Sequence, residues 1–287
     1  MDDTAPSTPE VRLIGALSVH YGGRRMPLPP GSHRLLAYLA LHPAGVDRRR
    51  VAGVLWPDVD DGRAAGNLRS ALWRLQQVAC PLVRAEHSTL GLREGVEVDI
   101  ARLEAWANRV LSGVPTPADL VVDPGPIAGL ELLPGWYEDW VLAVREPLQL
   151  RLLHALEELS RVLRRSGRPS AAVEAMHVAV LAEPLRESGQ RALIEAHQAA
   201  GNWAVARRQY DAYRVTLRRE IGVEPSAELA AVATAPRGRL PLSSVPPRPR
   251  PGFRPELAKG GEDGVLSWWG GGSPSARGDS LLPPPRS

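Results

Sequence analysis

The chain has 287 residues, with 35 basic side chains against 32 acidic ones and a formal net charge of +3, enough for one or two domains with sizeable cores. Its one cysteine, Cys80, excludes a disulfide framework and a cysteine-based metal cluster. No apolar run is long enough to cross a bilayer, and Met1-Asp2-Asp3-Thr4 opens no apolar signal segment, so the expected address is the cytoplasm.

After a flexible start over residues 1–9, Val11 to Tyr21 reads as one β-rich run with partial alternation. Gly22-Gly23 turns it into a short return strand from Arg24 to Leu28. Pro29-Pro30-Gly31 breaks the pattern, and Ser32 is placed to cap a helix that carries Leu35, Leu36 and Leu39 inward. Asp47 caps a second helix whose first turn holds Arg48, Arg49 and Arg50. Cations there oppose the helix dipole, so they call for a nearby phosphate or a tertiary acid.

Trp56-Pro57-Asp58 ends that helix, and a third is expected from about Arg63 to Ala79. Leu68, Ala71, Leu72, Leu75 and Ala79 fall on one narrow face of it. Arg63, Gly66, Ser70, Trp73 and Gln77 fall opposite, flanked by Asn67, Arg69 and Arg74. An apolar back with an Arg/Asn/Ser/Gln front suits the major groove, where such side chains match base-edge donors and acceptors. Trp73 also fits a packing role on a half-exposed face. Three β-like runs follow, Leu82 to Ala85, Thr89 to Leu92 and Val96 to Ile100, and together they read as a wing. The region is basic: Arg24 to Arg84 holds ten arginines and four acids. Only Lys259 among the 35 basic residues is lysine, so the position of the arginines matters more than their number.

Leu55-Trp56-Pro57-Asp58, followed by Ala65-Gly66-Asn67-Leu68-Arg69-Ser70-Ala71-Leu72-Trp73-Arg74-Leu75, resembles the OmpR-like winged helix of the Streptomyces antibiotic regulatory protein (SARP) family. The resemblance implies that the third helix enters the major groove and the wing touches backbone or minor groove. Carried over by position, Asn67, Arg69, Ser70, Trp73 and Arg74 face DNA, with Arg84 and His87 as wing contacts. Arg63 and Gln77 complete the expected DNA-binding set.

Beyond residue 100 a helix opens at Ala101 to Trp106, and a Pro/Gly-rich link runs from Gly113 to Gly129. A helical block follows, to about residue 229. Gly167 and Gly201, Ala172 and Ala206, and Leu159 and Leu193 are each 34 residues apart. That is the tetratricopeptide period, although a plain helical bundle also fits. Residues 231–287 hold 11 Pro and 9 Gly and few apolar side chains, so a disordered tail is expected. Leu133-Pro134-Gly135-Trp136-Tyr137-Glu138-Asp139-Trp140, Glu183-Pro184-Leu185-Arg186 and Leu217-Arg218-Arg219-Glu220-Ile221-Gly222-Val223-Glu224-Pro225 are similar to the bacterial transcriptional activator domain that follows the winged helix in SARP proteins.

The expected fold is therefore mostly α: a winged helix-turn-helix over residues 10–99, an all-α tetratricopeptide-like domain over 100–230, and the disordered tail. The resemblance implies an activator that binds double-stranded promoter DNA, often as a pair on direct repeats, contacts RNA polymerase and switches on a secondary-metabolite gene cluster. No membrane partner is expected. No metal-binding, hydrolase or dinucleotide motif occurs, and no Gly-x-x-x-x-Gly-Lys-Ser/Thr loop, so no enzyme activity, metal or cofactor is expected. Asp58 to Gly62 reads as a loop or cap, Cys80 as a small buried apolar residue, and Glu138-Asp139 and Glu157-Glu158 as solvated acids. The competing reading is a helical-repeat adaptor without DNA binding.

Overall fold

The computed structural model describes residues 8–121 and 131–234. Most of the start expected to be flexible (to residue 7), the end of the Pro/Gly-rich link and the part of the expected disordered tail from residue 235 lie outside the described residues. Where a single β-rich run is expected, two strands form, β1 (Glu10–Arg12) and β2 (Ser18–Tyr21). Between them the chain bends at Gly15, whose φ of +77° is open to glycine and strained for other residues. Then come β3 (Arg24–Met26), α1 (His33–Ala40), β4 (Val46–Asp47), α2 (Arg48–Leu55) and α3 (Asp61–Gln76). The wing strands β5 (Val83–Ala85) and β6 (Thr89–Leu92) follow, then β7 (Glu97–Val98).

Two of the first three helices begin where an aspartate satisfies their first N–H groups. Asp47 caps α2, its Oδ1 accepting from the N–H groups of Arg49 and Arg50. Asp60 caps α3 by accepting from Arg63, which starts the helix two residues before the expected point. Ser32 precedes α1 as expected, yet it makes no cap: its hydroxyl donates to the Pro29 carbonyl at 2.7 Å and ties off the preceding turn.

The strands form two sheets, in the orders β3-β2-β1-β7 and β4-β6-β5. Thus Val96 to Ile100 is no third strand of the wing. β7 crosses back to lie parallel to β1, Val11 opposite Val98, and Ile100 already belongs to the next helix. A parallel pairing needs a long crossover, which local alternation cannot reveal. The wing sheet takes β4 instead, with Val46 opposite Leu90.

The rest is helical: α4 (Asp99–Leu111), a 3-10 turn (Pro117–Leu120), α5 (Asp139–Arg165), α6 (Pro169–Ala182), α7 (Glu187–Ala199), α8 (Trp203–Ile221) and α9 (Ala227–Thr234). The 34-residue repeat is visible in the hydrogen bonds. After α5 the Arg168 N–H donates to Leu163 O at 2.8 Å; 34 residues on, after α7, the Asn202 N–H donates to His197 O at 2.8 Å. Gly167 and Gly201 take nearly the same left-handed φ, +73° and +77°. Leu159, Leu193, Ala172 and Ala206 are all buried. The block is a stack of helical hairpins, and α9 carries it to Thr234, past the expected start of the tail.

One buried carboxylate joins the N-terminal sheet to this block. Asp99, at the start of α4, accepts from the Leu13 and Ile14 N–H groups at 2.9 Å each and from its own Ile100 N–H at 2.8 Å. Burial pushes its carboxyl above the usual range, and the three backbone donors pull the other way. Arg145 of α5 is a second tie: it donates to the Leu132, Leu133 and Trp136 carbonyls, while Leu133 N–H donates to Leu13 O at 2.9 Å. Arg34 of α1 reaches Glu138 at 3.1 Å, and Tyr38 of α1 meets Trp140 edge-on at 5.2 Å. Glu157, expected to be solvated, accepts from Arg186 and Ser188 and links α5 to the start of α7.

Two stability predictions follow from these ties. Asp99→Ala leaves the Leu13 and Ile14 N–H groups unpartnered in the core and should cost roughly 2–3 kcal/mol in urea unfolding. An unchanged midpoint would show that the tie contributes nothing. Asp119, on the 3-10 turn, is bound by both guanidinium nitrogens of Arg109, which hold its carboxyl well below the usual range. A lowered folded value stabilises above the unfolded value of about 4, and that contribution is lost as pH falls through it. Asp119→Asn should therefore lower the urea midpoint at pH 7, by a margin that shrinks as the pH drops below about 4.

Candidate nucleic-acid interface

α3 is divided lengthwise. Ala64, Leu68, Ala71, Leu72 and Leu75 are buried against the fold. Ala79, expected on the same face, is exposed: α3 ends at Gln76 and the chain leaves the helical path before residue 79. All nine side chains expected to face DNA are exposed: Arg63, Asn67, Arg69, Ser70, Trp73, Arg74 and Gln77 around α3, and Arg84 and His87 on the wing. Trp73, which also fitted a packing role, keeps 63% of its surface in solvent.

Their local partners differ. Ser70 Oγ donates to Gly66 O at 3.1 Å, and Gln77 Nε2 donates to Trp73 O at 3.4 Å. Arg63 leans on Asp60 at 3.4 Å and Arg84 on Glu86 at 3.3 Å; both pairs are exposed and weakly held. The Arg74 guanidinium lies over Gly31, at the entrance to α1, where any side chain would meet it at 3.0 Å. Arg69 and Arg74 form no ion pair among the described residues.

The same holds for most arginines of this region. Arg24, Arg25, Arg48, Arg49 and Arg50 likewise have no carboxylate within 4 Å among the described residues, whereas Arg161, Arg164, Arg186, Arg191, Arg207, Arg218 and Arg219 of the helical block each have at least one. Sequence reading asked for a phosphate or an acid to explain the three cations on the first turn of α2. The structure supplies no acid: Arg48 Nε donates to the Glu86 carbonyl at 3.0 Å, and Arg49 and Arg50 stand exposed. An open groove of about 650 Å³ lies between α2 and α3, lined by apolar and small residues such as Ala52, Gly53 and Leu68, by Arg48, Arg49 and Arg69, and by one acid, Asp61. This is a surface of unneutralised cations with short polar side chains between them, suited to phosphates and base edges.

Sequence reading missed how the surface is held. The Arg48 N–H donates to Ser88 O at 2.8 Å, and β4 pairs with β6, so the start of α2 is pinned to the wing. Val46-Asp47 is too short for alternation to mark as a strand. No cluster of three or more His, Cys, Asp or Glu able to hold a metal occurs among the described residues, and no helix there is long and apolar enough to cross a membrane.

Residues 97–235 match the bacterial transcriptional activator domain. No curated protein matches the chain. Among solved structures it is similar to Mycobacterium tuberculosis EmbR in complex with a low-affinity phosphopeptide, at a TM-score of 0.53 and 18% identity, over 79% of this chain and 64% of that one. The chain thus spans somewhat less than two thirds of that protein's length, and the likeness is one of fold. Residues 97–235 thus carry a bacterial transcriptional activator domain with a winged helix ahead of it, an arrangement that supports a SARP-type transcriptional regulator.

Proposed function

We propose that this regulator binds double-stranded promoter DNA through residues 10–99, with α3 in the major groove and the wing on the adjacent backbone. Residues 100–230 then contact RNA polymerase. Arg63, Asn67, Arg69, Ser70, Trp73, Arg74 and Gln77 face the duplex, with Arg84 and His87 reaching it from the wing. Two copies bind side by side on direct repeats, and the genes controlled form a secondary-metabolite cluster. The chain acts in the cytoplasm as a binding protein and catalyses no reaction. The observation that carries this reading is the exposed polar face of α3, set among arginines of which most have no carboxylate within 4 Å among the described residues. Neutralising phosphates with those cations releases counterions, which gives affinity, and base edges in the groove give selectivity.

Capture of genomic fragments by the purified chain, followed by sequencing, tests the reading and yields the operator. Recovery without enrichment of any sequence would favour the adaptor reading. On captured duplexes, Arg69→Ala and Arg74→Ala should each weaken specific binding by about 1–3 kcal/mol if they read base edges. Gel-shift affinity of the double variant equal to the wild type would remove both from the interface. Arg84→Gln should weaken binding evenly across sequences and lower the slope of log affinity against log salt by about one, as for a lost phosphate contact.

A further inference from the structure

Gly66 lies inside α3, where glycine is a poor helix former. Nothing within the chain requires it there. Its φ lies outside the left-handed region, and a Cβ added to it would meet only the mobile end of Arg69, at 3.7 Å, an ordinary contact. Gly66 is half-buried, and apart from the Arg69 guanidinium nothing lies within 4 Å of where its side chain would be. One turn on, Ser70 is small, and its hydroxyl is folded flat onto Gly66 O. A further turn on, Trp73 stands 63% exposed. The outer face of α3 therefore rises from bare backbone at Gly66 to a full indole at Trp73. Asn67, beside the low end, is a short side chain that reaches a base edge only if the helix backbone comes close.

We infer that Gly66 is a close-approach position: α3 seats tilted, with its backbone at Gly66 in van der Waals contact with the duplex and Trp73 bearing on the groove wall farther along. This rests on the DNA-binding reading above and adds to it the depth and tilt of the helix. A methyl group at residue 66 adds about 1.5 Å to the low end of the face and lifts Asn67 and its neighbours by a comparable amount.

The test is Gly66→Ala in the full chain, with thermal unfolding measured beside affinity for the duplexes that the wild type selects from a randomised pool. The inference expects opposite signs. The midpoint rises by a few degrees, because alanine is the better helix former and no clash opposes it. Affinity falls roughly tenfold or more, as for loss of a base-reading contact. Binding within twofold of wild type overturns the inference while leaving the DNA-binding reading standing. A lowered midpoint also overturns it, by showing that the glycine serves the fold. A wild-type chain that selects no duplex overturns the DNA-binding reading and this inference with it.

Discussion

Asp99 stands where β1, β7 and α4 meet, and its carboxylate holds the backbone of Leu13 and Ile14 from inside the core. Burying a carboxylate is costly, and its raised proton affinity shows that cost. It is offset because three backbone N–H groups that would otherwise lack partners are satisfied at one point. The consequence is mechanical: the sheet under the winged helix and the first helix of the activator domain share one anchor. With Arg145 gathering three carbonyls of the connecting segment, the two parts pack as one body, and Arg34 and Tyr38 of α1 meet Glu138 and Trp140 directly.

The charges of the two parts are handled in contrasting ways. In the helical block many arginines reach a carboxylate, and the bridges of Arg164 with Glu195 and Arg186 with Glu157 tie α5 to α7 across the intervening hairpin. There arginine serves the fold. In the winged helix the arginines of α2 and α3 are left mostly alone, close together, around a groove. Like charges held near one another raise the energy of the free protein, and a polyanion relieves that repulsion on binding.

The reading of the site from sequence succeeded where helical periodicity applied. Leu68, Ala71, Leu72 and Leu75 are buried and Arg63, Ser70, Trp73 and Gln77 exposed, because a 3.6-residue repeat sorts inner from outer positions without knowledge of neighbours. Ala79 fell outside because the helix stops three residues short of it, and helix ends are set by capping and tertiary strain more than by periodicity. Arg74 resting over Gly31 and Arg48 held by the wing involve residues far apart in the chain, which no local pattern reports.

The cap at Asp47, the hairpin at Gly22-Gly23 and the amphipathic halves of α3 were determined by the sequence itself, because each depends on side chains within a few turns of one another, and the 34-residue repeat was legible because the same local pattern recurs along the chain. Tertiary structure alone decided that Val96 to Val98 abandons the wing for β1, that Val46 replaces it there, and that the acid at residue 99 is buried beneath the first strand. Those outcomes depend on which distant apolar surfaces can be closed together with every buried N–H still partnered, and that balance exists only once the whole chain has been brought into contact.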